Sequence, residues 1–275
     1  MNVETYRGII TALAPVHSGS DIKMGNEKTL RTLQYNLPDG PVEVPVVSGN
    51  GIRGPLRRLI FQDLIERAGY EPKNAAGQVK LYHSLFSGGI LEAVAEKDAG
   101  YIDLAMKRKL RAAIPPLALL GTAIKNQMLE GKVDVGYAIP RVKELMSFLQ
   151  AGGPEITATL ADIQQQTFNT RRDEMAQAAK EGGGASSQML HTWWYIPPGT
   201  TFQHAFTLID PSDVERACLG QMIALWKMRP RLGAKAGTGN AVVSLDYPEI
   251  DPTAYTTFVG ETTDDIRELL GELEG

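Results

Sequence analysis

Apolar and polar residues alternate through "VETYRGIITALAPVHSG", Val3 to Gly19, a period of two that predicts a first β-strand ending at Pro15 and the polar turn after it. "GPVEVPVV" predicts a second extended piece, running into Ser48-Gly49-Asn50-Gly51, where glycine and asparagine permit positive φ. The period then changes to that of a helix. Pro55 suits its first turn, Leu56, Leu59, Ile60, Leu64 and Ile65 form one stripe, and Arg57 and Arg58 start outside that stripe. From about Leu81 to Leu149 the pattern is mostly helical, with breaks at Gly131 to Pro140 and at Pro115-Pro116, which reads as a turn.

Beyond Gly152 the stretch up to Met189 is polar, rich in glutamine and without a strong period, which predicts an exposed arm or long loop. "LHTWWYIPPGTTFQHAFTLID" then predicts a strand, a Pro-Pro-Gly turn and a second, alternating strand. Asp213 to Met228 reads as a helix capped by Asp213, with Val214, Ala217, Cys218, Met222, Leu225 and Trp226 inward. The glycine-rich "RLGAKAGTGN" leads to a last strand, "AVVSLDY". Strands and helices in both halves, with no internal repeat of 20 to 50 residues, fit an α+β domain of ferredoxin-like type.

Composition narrows the class. A chain of 275 residues, 43% hydrophobic, buries a full core without staples. Its one cysteine, Cys218, excludes an internal disulfide, and four scattered histidines offer no zinc-finger spacing, so a reducing, cytoplasmic compartment is expected and no metal or other cofactor. The start lacks a signal-peptide apolar core, and no apolar run approaches the ~18 residues of a membrane span, so no membrane partner is expected.

The formal charge of −4 hides an uneven distribution. Asp246 to Gly275 holds nine acids and one base, Arg267, a net of −8, so the rest of the chain carries +4. Three stretches hold bases and no acids: Val44 to Gln62, Leu104 to Leu129 and Arg216 to Leu245. Each alone reads as solvated surface; the three together point to a polyanion. Arg53, Arg57 and Arg58 also crowd a helix start, whose partial positive charge disfavours cations by roughly 0.3–1 kcal/mol each. An anion belongs in that picture.

Nucleophile-elbow, zincin and nucleotide P-loop motifs are absent. The loop "GAKAGTGN" reads equally as a tight helix-to-strand connection or as a place where small residues let a backbone approach a phosphate beside Lys235.

Four motifs in order, "PVHSGS", "VPVVSGNGIRGPLRR", "PPGTTF" and "LGAKAGTGN", carry a resemblance to the CRISPR-associated RAMP superfamily, specifically the Cas-seven family of backbone subunits of class 1 effector complexes. Gly49-Asn50-Gly51-Ile52-Arg53-Gly54 stands where that family has Gly-Ser-Ser-Leu-Lys-Gly, so Asn50 and Gly51 replace serines and Arg53 replaces lysine. The resemblance spans roughly Tyr6 to Tyr247. It implies a single domain over 1–275 with an RRM-like palm, a helical finger insertion at about 70–150, a protruding thumb at about 155–190 and an acidic C-terminal tail at 246–275.

The resemblance further implies that copies polymerise as a helical filament along a guide RNA, beside other effector-complex subunits. The palm holds the sugar-phosphate backbone, and the thumb kinks the guide to expose bases for pairing with target DNA or RNA. Its RNA contacts carry over to Gly49, Asn50 and Arg53, with Arg57 and Arg58 around the same phosphate, and to Gly237 and Thr238 beside Lys235. Ser18, Ser20, Lys23 and Arg31 form an RNA-contacting loop, and Arg171 and Arg172 sit in the thumb. Trp193 and Trp194 invite base stacking, yet neighbours in a strand face opposite sides, which puts at least one in the core.

In the type III branch an aspartate of the first loop cleaves target RNA. The matching neighbourhood here is Gly25-Asn26-Glu27-Lys28, where a lysine changes the chemistry and leaves Asp21 and Glu27 as the remaining carboxylates. A non-catalytic subunit of type IV character is therefore expected. The rival readings are a type III-like nuclease and an unrelated cytosolic enzyme binding a phosphorylated small molecule.

Overall fold

The computed structural model describes residues 1–20, 27–88, 103–124, 127–171 and 189–274. Strand β1 (Val3–Ala12) is central to an antiparallel sheet. Along the chain follow β2 (Glu27–Lys28), β3 (Thr32–Leu37), β4 (Gly40–Pro45), helices α1 (Gly49–Ala68) and α2 (Ala75–Leu81), a π-helical turn (Tyr82–Phe86), α3 (Leu104–Ala113) and α4 (Pro115–Leu120). Next come β5 (Thr122–Ile124), β6 (Gln127–Leu129), β7 (Val133–Val135), β8 (Ile139–Pro140), β9 (Gln165–Arg171), β10 (Met189–Tyr195) and β11 (Thr201–Ile209). Helix α5 (Asp213–Met228), β12 (Val243–Asp246), α6 (Thr253–Glu261) and α7 (Thr263–Glu274) complete it.

The main sheet runs β12-β1-β11-β7, with β8 also on β11, all antiparallel. Taking β7 and β8 as one broken edge strand, the order is fourth-first-third-second with α1 and α5 as the two crossovers. That is the ferredoxin-like βαββαβ plan, so the chain is α+β as its sequence pattern predicts.

Alternation sets the two faces. Gly8, Ile10 and Ala12 of β1 are buried, as are Phe202, His204, Phe206 and Leu208 of β11. Against this face pack Ile52, Leu56, Ile60 and Leu64 of α1 and Cys218, Met222 and Trp226 of α5. Gly8 is obligatory because a Cβ there would stand 2.4 Å from the Tyr247 ring. The other face, with Thr5, Arg7, Ile9 and Thr11 opposite Thr207, Ala205, Gln203 and Thr201, is exposed at Thr5 and Arg7 and covered at Gln203, which donates to Phe148 O at 3.2 Å and accepts from Gln150 N–H at 2.8 Å.

Several expectations change. Helix α5 is capped by Ser212, one residue before the expected Asp213, through a reciprocal box with Glu215. Pro115-Pro116 opens α4 rather than making a turn, since the first helical positions need no N–H partner. Much of 122–140, read as helical or broken, is short strand, and β7 and β8 join the main sheet. The polar stretch read as a loop contains β9, which pairs residue by residue with β10 from Gln165↔Tyr195 to Arg171↔Met189. Backbone pairing supplies what β9's side-chain pattern lacks.

The acidic segment from Asp246 onward packs on its own chain through α6 and α7. Tyr255, Val259, Ile266, Leu269, Leu270 and Leu273 are buried, and the two helices contact α1, α2 and α5 between them. Each such side chain contributes roughly 1.5–3 kcal/mol before chain entropy is counted. Lys109 pairs with Glu272 at 2.8 Å, and Arg267 Nε donates to the Ala68 carbonyl at 2.6 Å, tying the segment to the end of α1.

Among the described residues no helix is long and apolar enough to cross a membrane.

Candidate nucleic-acid interface

The glycine-rich loop after α5 folds back on the end of β1. Ala234 N–H donates to His17 O at 2.8 Å, and Ala241 N–H to Pro15 O at 2.9 Å. Gly233 sits at φ +91°, where a Cβ would lie 2.6 Å from His17 O, so glycine alone permits this approach. Lys235 is left-handed too, at φ +62°, and its Nζ stands 3.6 Å from the centroid of the Trp193 ring. Trp193 is 6% exposed, and its buried Nε1 has no partner among the described residues.

His17, also buried, meets Trp193 edge-on at 5.7 Å and donates from Nδ1 to the Trp194 carbonyl at 2.7 Å. Burial, and then the charges of Lys235 and Lys28, hold its pKa below the ordinary histidine value; burial and Lys28 lower that of Lys235. Burial is the first cause of both shifts, and the neighbouring lysine charges add to it, so positive charge gathers here on a partly desolvated surface. Beyond Lys235, Gly237 and Thr238 are exposed with open space around Gly237, and the Thr238 hydroxyl donates to Lys235 O at 2.9 Å.

A backbone ladder leads away from this loop. Arg31 N–H donates to Ser18 O at 2.7 Å, Ser20 N–H to Thr29 O at 3.0 Å, and Val46 N–H to Arg31 O at 2.9 Å. Two residues later Ser48 caps α1, accepting from Gly51 N–H at 3.2 Å. The sequence-predicted residues Ser18, Ser20, Arg31, Lys235, Gly237 and Thr238 are thus brought into one neighbourhood, and the ladder runs from it to the start of α1. There Asn50 and Arg58 are exposed. Gly49 is buried instead, with a would-be Cβ only 2.0 Å from Val135 O, so its glycine serves packing against the sheet edge.

Two of the three arginines expected around an anion, Arg53 and Arg57, hydrogen-bond within the chain. Arg57 is 6% exposed; its Nη1 donates to Leu85 O at 3.2 Å and its Nη2 to Leu120 O and Gly121 O at 2.7 and 2.9 Å, while the guanidinium lies 5.8 Å from the Phe61 ring centroid. Arg53 Nη2 also donates to Leu120 O. Carbonyls at the end of α4 and in the π-helical turn satisfy these donors without supplying a negative charge. Burial, then Arg53, pushes the Arg57 pKa down to about 10, and burial lowers that of Arg53. Arg53, Arg57, Arg58 and Asn50 nonetheless line one open cleft of about 630 Å³ with Tyr82 and Phe86.

Of the two candidate carboxylates, Glu27 Oε1 accepts from Trp194 Nε1 at 2.5 Å, which places it under the β2–β10 pairing. Asp21, Lys23 and Arg172 lie outside the described residues, and Arg171 is described by its backbone in β9. Among the described residues no group of three His, Cys, Asp or Glu is placed to hold a metal. Sequence reasoning passed over the Trp193–His17 platform beneath Lys235; its signal was Trp193 itself, whose strand partner across β2 is Lys28.

The chain matches no family model and no curated protein. Among solved structures it is similar to a chain of "Type IV-B CRISPR Complex", with a TM-score of 0.64 over 89% of this chain and 90% of that one at 17% identity, a likeness of fold.

Proposed function

We propose that this chain is a non-catalytic backbone subunit of a CRISPR effector complex, of Cas-seven type and type IV character. Copies of it line up along a guide RNA, hold its sugar-phosphate backbone and leave bases free to pair with target nucleic acid, next to other subunits of the complex. The observation that carries the reading is the pair of lysines, Lys235 on a glycine loop and Lys28 on β2, gathered beside His17 at the end of a ferredoxin-like palm. The fold likeness to a chain of a type IV-B CRISPR complex supports the same reading. Glycine amides and lysines read charge rather than bases, as a subunit repeated along one guide requires.

In this reading the inserted helices and short strands between α1 and β7 act as the finger, and the β9–β10 arm as the thumb. Glu27 holds Trp194, which supports a structural part for that carboxylate.

The test is purification from cells that express its guide. The chain is expected as oligomers of varied length with the absorbance ratio of a nucleoprotein, and its RNA affinity should fall steeply with salt. A monomer free of RNA, indifferent to salt, sinks the proposal. Magnesium-dependent cleavage of complementary RNA by the assembled complex, lost in Asp21→Ala, would make it a nuclease instead.

A further inference from the structure

The open face of the main sheet holds a second cationic site that none of the motifs above includes. Arg141 follows β8 and hydrogen-bonds through its backbone N–H to Thr201 O at 2.8 Å, which turns its side chain onto the face of Arg7 and Ile9. It is 4% exposed. Its Nη2 donates to Gly152 O at 2.6 Å and more weakly to Pro154 O at 3.3 Å, yet its buried Nε and Nη1 have no partner among the described residues.

A buried guanidinium normally has its donors satisfied, because desolvated N–H groups left unpaired are costly. Here Arg141 lines an open cleft of about 410 Å³ with Arg7, Gly152, Gly153 and Tyr247, and Asp246 is the acid in its lining. Gly153, at φ +80°, lies so close that a Cβ would stand 3.2 Å from Arg141 Cζ. The segment is therefore shaped to the guanidinium plane, which Nη2 anchors while Nε and Nη1 stay unpartnered among the described residues.

We propose that Arg141 and Arg7 form an oxyanion site of the phosphate class, occupied by a backbone phosphate of a nucleic-acid strand lying across the open sheet face. Around it β1 and β11 offer Thr5, Thr11, Thr201 and Thr207, while the Tyr247 ring in the cleft lining is itself buried. The threonine hydroxyls suit a sugar-phosphate chain. The nucleic-acid source rests on the function proposed above; the oxyanion site does not.

The test measures binding of single-stranded RNA to the full chain across a salt series, for wild type, Arg141→Gln, Arg7→Gln and Asp246→Asn. Each arginine variant should lower the slope of log affinity against log salt by about 0.7, the share of one phosphate on a single strand. Asp246→Asn should tighten binding. Should Arg141→Gln fail to fold by circular dichroism, the exposed Arg7→Gln decides alone. Unchanged slope and affinity in the folded arginine variants, with wild type binding RNA, overturns the site.

If wild type binds no RNA, the proposed function falls and inorganic phosphate becomes the probe. Thermal stabilisation by phosphate, absent in Arg7→Gln and Arg141→Gln, then keeps the oxyanion site with free phosphate as its source. No stabilisation of wild type removes it.

Discussion

Two basic regions that look alike in sequence give their cations different partners. At the start of α1, Arg53 and Arg57 spend their donors on carbonyls of the same chain, bridging α1 to the π-helical turn and to the end of α4. On the loop after α5, Lys235 lies on an indole face with Lys28 and His17 nearby and no acid among the causes of their shifts. A planar fork with five donors can be satisfied by backbone carbonyls, whereas an ammonium on a ring keeps its donors for an incoming group. Cation count alone does not separate a strut from a grip; the partners do.

The largest effects should fall on the strut. Gly49→Ala would drive a Cβ into Val135 O, and Arg57→Met would leave the carbonyls of Leu85, Leu120 and Gly121 short of donors. Both should cost roughly 2–4 kcal/mol in urea unfolding. Any Arg57→Met protein that remains folded should keep the wild-type salt slope for RNA. A lost slope with unchanged stability would reverse the roles assigned to the two regions.

The grip should behave in mirror image. Lys235→Ala is expected to leave unfolding within about 1 kcal/mol of wild type and to weaken RNA binding about tenfold, with the salt slope smaller by about 0.7. Gly237 sharpens the contrast with Gly49, because nothing lies within 4 Å of where its Cβ would be. Gly237→Ala should melt like wild type and bind RNA a few-fold more weakly, read from the same titration, by holding a phosphate off the backbone. Equal losses of stability at both glycines would erase the distinction.

The sequence made the palm legible because its strands bury one face: the alternation of β1 and β11 follows the observed pairing from Val3↔Ile209 to Thr11↔Thr201. The stripe of α1 was legible for the same reason. Arg57 was not, since polarity argues for exposure and its carbonyl partners lie 28 to 64 residues away along the chain. The spacing of Ile266, Leu269, Leu270 and Leu273 is that of an amphipathic helix, but the dense acids around it drew attention to charge. β9 left no trace in its side chains. Arg141 was invisible as a candidate, because an isolated arginine after a proline signals nothing until its unpaired nitrogens are seen.

The finest test of the comparison is pH. His17 is held below the ordinary histidine pKa by burial and by Lys235 and Lys28, so it is neutral at pH 7 and resists protonation as pH falls. The unfolded chain takes up that proton near the ordinary value, so His17's contribution to stability is complete above it and is lost as pH falls through the folded pKa. A phosphate entering the cluster offsets the two lysines and raises the His17 pKa, so RNA binding should take up a proton and strengthen modestly as pH falls toward that pKa. His17→Gln should flatten that dependence, and Arg57→Met should leave it in place. A pH response that survives His17→Gln would place the titrating group elsewhere and dissolve the assignment of this cluster as the grip.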